Sequence, residues 1–206
     1  MDSHDEGLNM SPTPNVIEIP WYGPFSWCGR TFQSVFRAEV CHFSGIYLWT
    51  IPLGNGFLTY YVGETGKTFF ARLTDHVREY LTGAYRIYDP EAFAKGQKKL
   101  LWHGSWLPEL SDSFLDFLEE YPNLAPQLYN FLGKMAIFLG PLQANLRTRM
   151  RIKRAIVRTL QNQPEPVSFF RDLEIWDYGK EEGGQPIQVN FHGDAIILGL
   201  TSELEA

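Results

Sequence analysis

Residues 45–83, GIYLWTIPLGNGFLTYYVGETGKTFFARLTDHVREYLTG, leave few folds open. Two runs rich in aromatic and β-branched residues, 46–53 and 57–62, flank Gly54-Asn55-Gly56. Apolar runs of this length around residues that tolerate positive φ predict a β-hairpin. Gly63-Glu64-Thr65-Gly66 then breaks the second run, and Phe70, Leu73, Val77 and Leu81 recur at three- and four-residue spacing up to Gly83. That spacing predicts an amphipathic helix over 67–81, with Phe70 and Val77 on its apolar stripe and glycine as its stop. Arg72 and His76 are four apart and share a face away from that stripe. Tyr47 and Tyr61 come from the adjacent strands, so a sheet edge packed on the helix can bring all four together.

These residues carry a resemblance. Gly45-Ile46-Tyr47, then Tyr61-Val62-Gly63, then Arg72 and His76 on the following helix resemble, in order and spacing, the signature of the GIY-YIG nucleases. The resemblance implies an α+β fold with a small three-stranded, mainly antiparallel sheet flanked by helices, and an endonuclease acting on DNA phosphodiester bonds. A second pattern overlaps the same loop. Gly66-Lys67-Thr68 has the look of the end of a phosphate-binding P-loop, but the position five before Gly66 is Tyr61, so the first glycine of that pattern is missing.

At 206 residues the chain suits one embellished domain or one and a half domains, with a sizeable core. No apolar run approaches the roughly 18 residues that span a bilayer. The polar start Met1-Asp2-Ser3-His4-Asp5-Glu6 is no signal peptide, so a cytoplasmic chain with no membrane partner is expected. Cys28 and Cys41 are too few for a disulfide framework, and although His42 lies beside Cys41 the spacing is not that of a zinc site. The net charge of −6 at first opposes a nucleic-acid partner. Its distribution does not: residues 67–158 hold 14 basic against 9 acidic side chains, whereas 159–206 hold 2 against 9. A local basic excess matters more to phosphate than the global sum.

Residues 1–15 are polar, contain Pro12 and Pro14 and lack periodicity, which predicts disorder. Residues 16–42 place Trp21, Tyr22, Phe25, Trp27, Phe32 and Phe36 among prolines and glycines, an aromatic wrap of loop and short strand. The nuclease-like domain is expected over 43–163. Within it, 84–110 reads as an irregular insertion that interleaves Lys95, Lys98 and Lys99 with Tyr85, Tyr88, Phe93, Trp102 and Trp106. Such a segment suits either phosphate contact with base stacking or plain aromatic packing against the core. Residues 111–132 read as helix capped by Ser111 and split by Pro122 and Pro126. Residues 135–139 read as a third strand. The acidic tail 164–206 has short apolar runs at 167–170, 187–191 and 196–200, expected as strands of a small β extension.

The helix over 144–160 holds the remaining information. At 100° per residue, Arg147, Arg151, Arg154 and Arg158 fall in one arc, a basic stripe suited to DNA. Opposite them Leu146, Met150, Val157 and Leu160 form the expected buried stripe, with Lys153 in its centre. An unpaired buried ammonium is costly, so this position must line a wet cavity, meet a carboxylate or let its stem snorkel. The resemblance implies a metal-binding glutamate on this helix, with Mg²⁺ as cofactor, and the best match places Lys153 there. No acid substitutes, since residues 121–163 contain no Asp or Glu. The expectation is therefore no metal site and weak, metal-independent or absent cleavage, the alternative being a nuclease-derived nucleic-acid-binding module. The resemblance also implies an asparagine, either Asn162 or Asn190. It casts Tyr47 as general base or its relay, Tyr61 as orienting group, Arg72 as charge stabiliser and His76 as proton carrier. Arg72 and Lys67 are expected to lower the phenol pKa of Tyr47.

Overall fold

A computed structural model describes residues 15–105, 114–170 and 185–206. In chain order these form β1 (Asn15–Pro20), β2 (Tyr22–Phe25), two 3-10 turns (Val35–Arg37 and Glu39–His42), β3 (Gly45–Leu53), β4 (Gly56–Thr65), α1 (Phe69–Leu81), β5 (Ile87–Tyr88), α2 (Pro90–Phe93), β6 (Leu100–Trp102), α3 (Phe114–Lys134), β7 (Ala136–Pro141), α4 (Leu146–Gln161), α5 (Val167–Phe170), β8 (Ile187–His192) and β9 (Glu203–Glu205). The fold class is α+β. The expected disorder over 1–15 falls almost wholly outside the described residues, as do the Ser111 cap and Trp106; Asn15 itself begins β1.

The hairpin forms as its turn residues predict, with Gly54 at positive φ joining β3 to β4. The central sheet has the order β2-β7-β3-β4 and is antiparallel throughout. It therefore has four strands where three are expected, because part of the aromatic wrap pairs with the outer side of β7. Gly45 opens β3 at positive φ, and a Cβ there would lie 2.2 Å from the carbonyl oxygen of Gly140. Only glycine lets β7 pair that closely.

Period-two alternation gives this sheet two different faces. On one, Tyr47, Trp49 and Ile51 pack against Phe69, Leu73 and Tyr80 of α1 and Phe117, Leu124, Leu128 and Phe131 of α3. On the other, Ile46, Leu48, Val62 and Phe138 pack against Ile152, Ile156 and Leu160 of α4 and against Ile19, Ile187 and Val189 of a second sheet. That sheet, β1-β8-β9, pairs β1 with β8 in parallel and so unites the N- and C-terminal embellishments.

Several expectations change. α3 runs unbroken through Pro122 and Pro126. Both prolines, and Leu118 four residues before the first, lie on the exposed side of the helix, so the two carbonyls that lose an amide partner turn toward water. On α1 the buried face is Phe69, Leu73, His76 and Tyr80, while Phe70 and Leu81 are exposed. On α4 it is Arg149, Ile152, Ala155, Ile156, Val157 and Leu160; Leu146 is 59% exposed, and Lys153 is half-buried on this face, between Leu160 and Val157. In insertion 84–110, the described residues 84–105 contain β5, α2 and β6, and Tyr88, Phe93 and Trp102 lie in the core, as the packing alternative has it. Residues 167–170 form α5 instead of a strand, and 196–200 form a turn that touches the sheet through an Ile197–Phe57 bridge. In each case a local pattern admitted two faces or two periods, and the neighbouring element chose. Among the described residues no helix is long and apolar enough to cross a membrane.

Candidate active site

Tyr47 stands on β3 opposite Gly63 of β4. Its ring lies flat over that residue: a Cβ on Gly63 would come within 2.0 Å of it. The glycine is thus the floor on which the tyrosine rests. Two residues further along β3, the pairing slips between Trp49–Tyr61 and Thr50–Thr59, leaving Tyr60 as the extra residue of a β-bulge. The bulge turns Tyr60 and Tyr61 to the same aromatic face, where strict alternation would send one of them away.

Below them α1 begins at Thr68, whose side chain accepts from the Ala71 amide. This start sets the rotation of the helix and brings Arg72 and His76 under the strands. The Tyr47 hydroxyl lies 2.7 Å from His76 Nε2 and accepts from Arg72 Nε at 3.4 Å, and it is also hydrogen-bonded with Tyr61. The other ring nitrogen of His76, Nδ1, lies 2.9 Å from the hydroxyl of Tyr85. Trp49 stacks its edge on His76 at 4.7 Å and tilts against Tyr61 at 4.6 Å. Trp49, Tyr60, Tyr61, His76, Tyr80, Tyr85 and Arg86 line a cavity of about 40 Å³.

Burial governs the protonation of this cluster. Tyr47 is fully buried, and loss of hydration raises its phenol pKa well above the ordinary value, with Tyr61 adding to the rise and Arg72 opposing it. The expected lowering of the Tyr47 pKa by cations is therefore reversed: desolvation outweighs one guanidinium. Lys67 does not assist, since its side chain is 74% exposed and pairs with Asp75 at 3.8 Å. His76 is held neutral, its pKa lowered to about 3 by burial and then by Arg72 and Lys153.

Lys153 reaches the same place from α4. Its Nζ lies 5.8 Å from the centre of the Tyr61 ring. Burial lowers its pKa first, Glu64 opposes that, and Arg72 and Arg154 add to the lowering. Glu64 itself accepts from Arg149 Nε at 2.8 Å, in an ion pair with both side chains largely buried. Among the described residues no group of three or more His, Cys, Asp or Glu side chains is arranged to hold a metal ion. The donors beside Tyr61 do not suit a divalent ion: Lys153 is a cation and the Glu64 carboxylate is engaged by Arg149. Cys28 is exposed, whereas Cys41 is buried and its thiol is pushed up to about 11 by burial.

The four signature side chains and Lys153 thus meet. The asparagines do not join them: Asn162 is the C-cap of α4, and Asn190 donates to Glu18 on the second sheet. The basic stripe is only partly a surface feature. Arg147 and Arg158 are exposed, but Arg151 donates to the carbonyls of Gln185 and Ala206 and so fastens the C-terminal extension to α4. Lys95 and Lys99 are exposed, Lys99 pairing with Asp89 at 3.7 Å, and Lys98 lies over the Phe169 ring at 5.1 Å.

Sequence reading counted Tyr85 among the aromatics of the insertion and did not place it beside His76, since it follows the Gly83 stop and belongs to no periodic pattern. It also missed the Glu64–Arg149 pair, although Arg149 is the one arginine of α4 outside the arc of the other four. Comparison of the chain with family models, with curated proteins and with solved structures gives no match, so what this site does has to be read from its own residues.

Proposed function

We propose that the hairpin, α1, β7 and α4 form a GIY-YIG nuclease-like domain that binds DNA phosphodiesters and hydrolyses them weakly, without a divalent metal. The observation that carries this reading is the meeting of Tyr47, Tyr61, Arg72 and His76 in one hydrogen-bonded cluster with the Lys153 ammonium beside Tyr61. Hydrolysis needs positive charge on the developing phosphorane and a route for the proton of the attacking water. Arg72 and Lys153 supply the charge, and the Tyr and His side chains supply the route. Lys153 stands where the family resemblance implies a metal-binding carboxylate. It contributes one positive charge there, and as an ammonium it has no lone pair for a metal. DNA would run along Arg147, Arg154 and Arg158, with Lys95, Lys98 and Lys99 as a second contact.

The burial of Tyr47 favours a second reading, a nuclease-derived module that binds nucleic acid and no longer cuts, because a sealed neutral phenol cannot itself meet a substrate water. Plasmid nicking in Mg²⁺, Mn²⁺ or EDTA, together with DNA binding across salt, separates the two. Slow nicking, equal in EDTA, supports the first; salt-dependent binding with no nicking supports the second. Lys153→Glu is expected to create or strengthen Mg²⁺-dependent cleavage. Vigorous Mg²⁺-dependent cutting by the unaltered protein, abolished by chelator, would place the metal ligands elsewhere and overturn the role given to Lys153.

A further inference from the structure

We propose that the groove between β2 and the 3-10 turn Glu39–His42 is a pocket for an unpaired guanine, with Arg37 on its phosphate. As a pocket for a base it stands by itself; as the place where a DNA strand enters the candidate active site it rests on the phosphodiester reading above. β2 is an outer strand of the central sheet, paired only with β7. Beside it lies a groove of about 550 Å³, within the range that takes a small molecule. Tyr22, Phe25, Val40 and Phe43 give the groove apolar walls. Two of these rings stand in solvent, Tyr22 at 48% and Phe43 at 51% exposure, and neither has an aromatic partner among the described residues. An open ring face accepts another flat ring, and every nucleobase offers one.

The polar side chains of the groove select among bases. Gln33, Arg37 and Glu39 line it, are exposed, and make no side-chain hydrogen bond or ion pair among the described residues. The Glu39 carboxylate is an acceptor only, so it repels a phosphate and calls for a base edge that carries donors. Guanine alone has two adjacent donors on its pairing edge, N1–H and the N2 amino group, which match the two oxygens of one carboxylate. The O6 acceptor beside them suits the amide NH2 of Gln33. Thymine has a single donor between two carbonyls, and adenine and cytosine set an acceptor next to their amino group, where it would face the carboxylate. In a duplex this edge is taken by the pairing base, so the guanine has to be unpaired. Arg37 supplies the positive charge for its phosphate.

The groove is joined to the candidate active site. Pro141 on its wall pairs with Gly45, which pairs in turn with Thr65, three residues before the cap of α1 at Thr68. The Phe43 carbonyl accepts from the Phe69 amide at 2.7 Å, which fixes the wall to the start of α1. Next to Phe43, His42 stacks on Phe70 at 6.3 Å, and Phe70 is 43% exposed. The two rings make an aromatic step from the groove to α1, two residues before Arg72.

The test is fluorescence anisotropy of the full chain with labelled single-stranded thymine nonamers whose central base is guanine, adenine, cytosine or thymine. The guanine oligomer is expected to bind about tenfold tighter than the other three, and annealing it to its complement should remove the preference. Glu39→Gln keeps the size of the side chain and exchanges one acceptor for a donor, so it should bring the guanine oligomer to within about threefold of the rest. Glu39 is exposed, so this variant leaves the core untouched. Equal binding of all four oligomers by the unaltered protein, or a guanine preference that survives Glu39→Gln or duplex formation, overturns the proposal. The amide resonances of residues 33–43 should shift with the guanine oligomer. If they move with a proline oligomer and not with DNA, the groove is a peptide site and the assignment falls. Guanine preference in a protein that nicks no plasmid keeps the pocket and discards hydrolysis, whereas nicking with no preference does the reverse.

Discussion

Tyr47, Trp49, Tyr60 and Tyr61 meet α1 on one face of the central sheet, and Ile46, Leu48, Val62 and Phe138 meet α4 and the second sheet on the other. The same strands supply both. On the aliphatic face the buried side chains are mainly apolar, with Arg149 paired to Glu64, and stability follows packed area. The aromatic face buries hydroxyls and an imidazole, each of which needs a partner once water is gone. Its members are consequently tied to one another in a chain, Tyr61 to Tyr47 to His76 to Tyr85. One face holds the molecule together; the other uses that rigidity to keep polar groups where water would compete for them.

The contrast can be broken from either side. The largest effect is expected from Phe138→Ala on the aliphatic face: the ring is 1% exposed and packs edge-on against Phe57 at 4.9 Å. Its loss should lower unfolding free energy by about 3–5 kcal/mol in denaturant titrations. Next is the pH response of the aromatic face. Above pH ~6.5 neither the folded nor the unfolded chain protonates His76. As pH falls below that, the unfolded chain takes up a proton that the folded one refuses until about pH 3, so stability declines with acidity. Between pH 7 and pH 5 the loss should be about 2 kcal/mol, measured as the difference between wild type and a His76→Gln variant that lacks this slope.

A smaller loss is expected from Tyr47→Phe, which keeps the ring over Gly63 but leaves His76 Nε2 and Arg72 Nε without the hydroxyl. Chemical denaturation should register about 1–2 kcal/mol, and the His76 ring resonances should shift while those of the aliphatic face stay in place. The smallest concerns the clasp behind that face. Arg151→Ala should cost about 1 kcal/mol by loosening the C-terminal extension, whereas Arg158→Ala should leave stability unchanged. For DNA binding the order reverses: Arg158→Ala should reduce the slope of log K against log salt by about one, and Arg151→Ala by less. Equal slopes for the two would mean that Arg151 is as available to phosphate as its exposed neighbour.

What the sequence determined by itself was local. The two runs around Gly54 and the helix expected over 67–81 depend on residues a few positions apart, where alternation, turn chemistry and helical spacing act directly. Convergence of Tyr47, Tyr61, Arg72 and His76 followed, because a hairpin and the next helix have few ways to pack. The tertiary structure decided everything that required a distant partner. Which face of α1 is buried depends on β3 and α3, not on the spacing of Phe70 and Val77. The continuity of α3 through two prolines depends on which side of it meets water, and the service of Arg151 as a clasp depends on residues 185 and 206. The pKa of Tyr47 was set the same way: nearby cations are visible in the sequence, but the depth of burial that outweighs them exists only once strands, helix and insertion have closed over the ring.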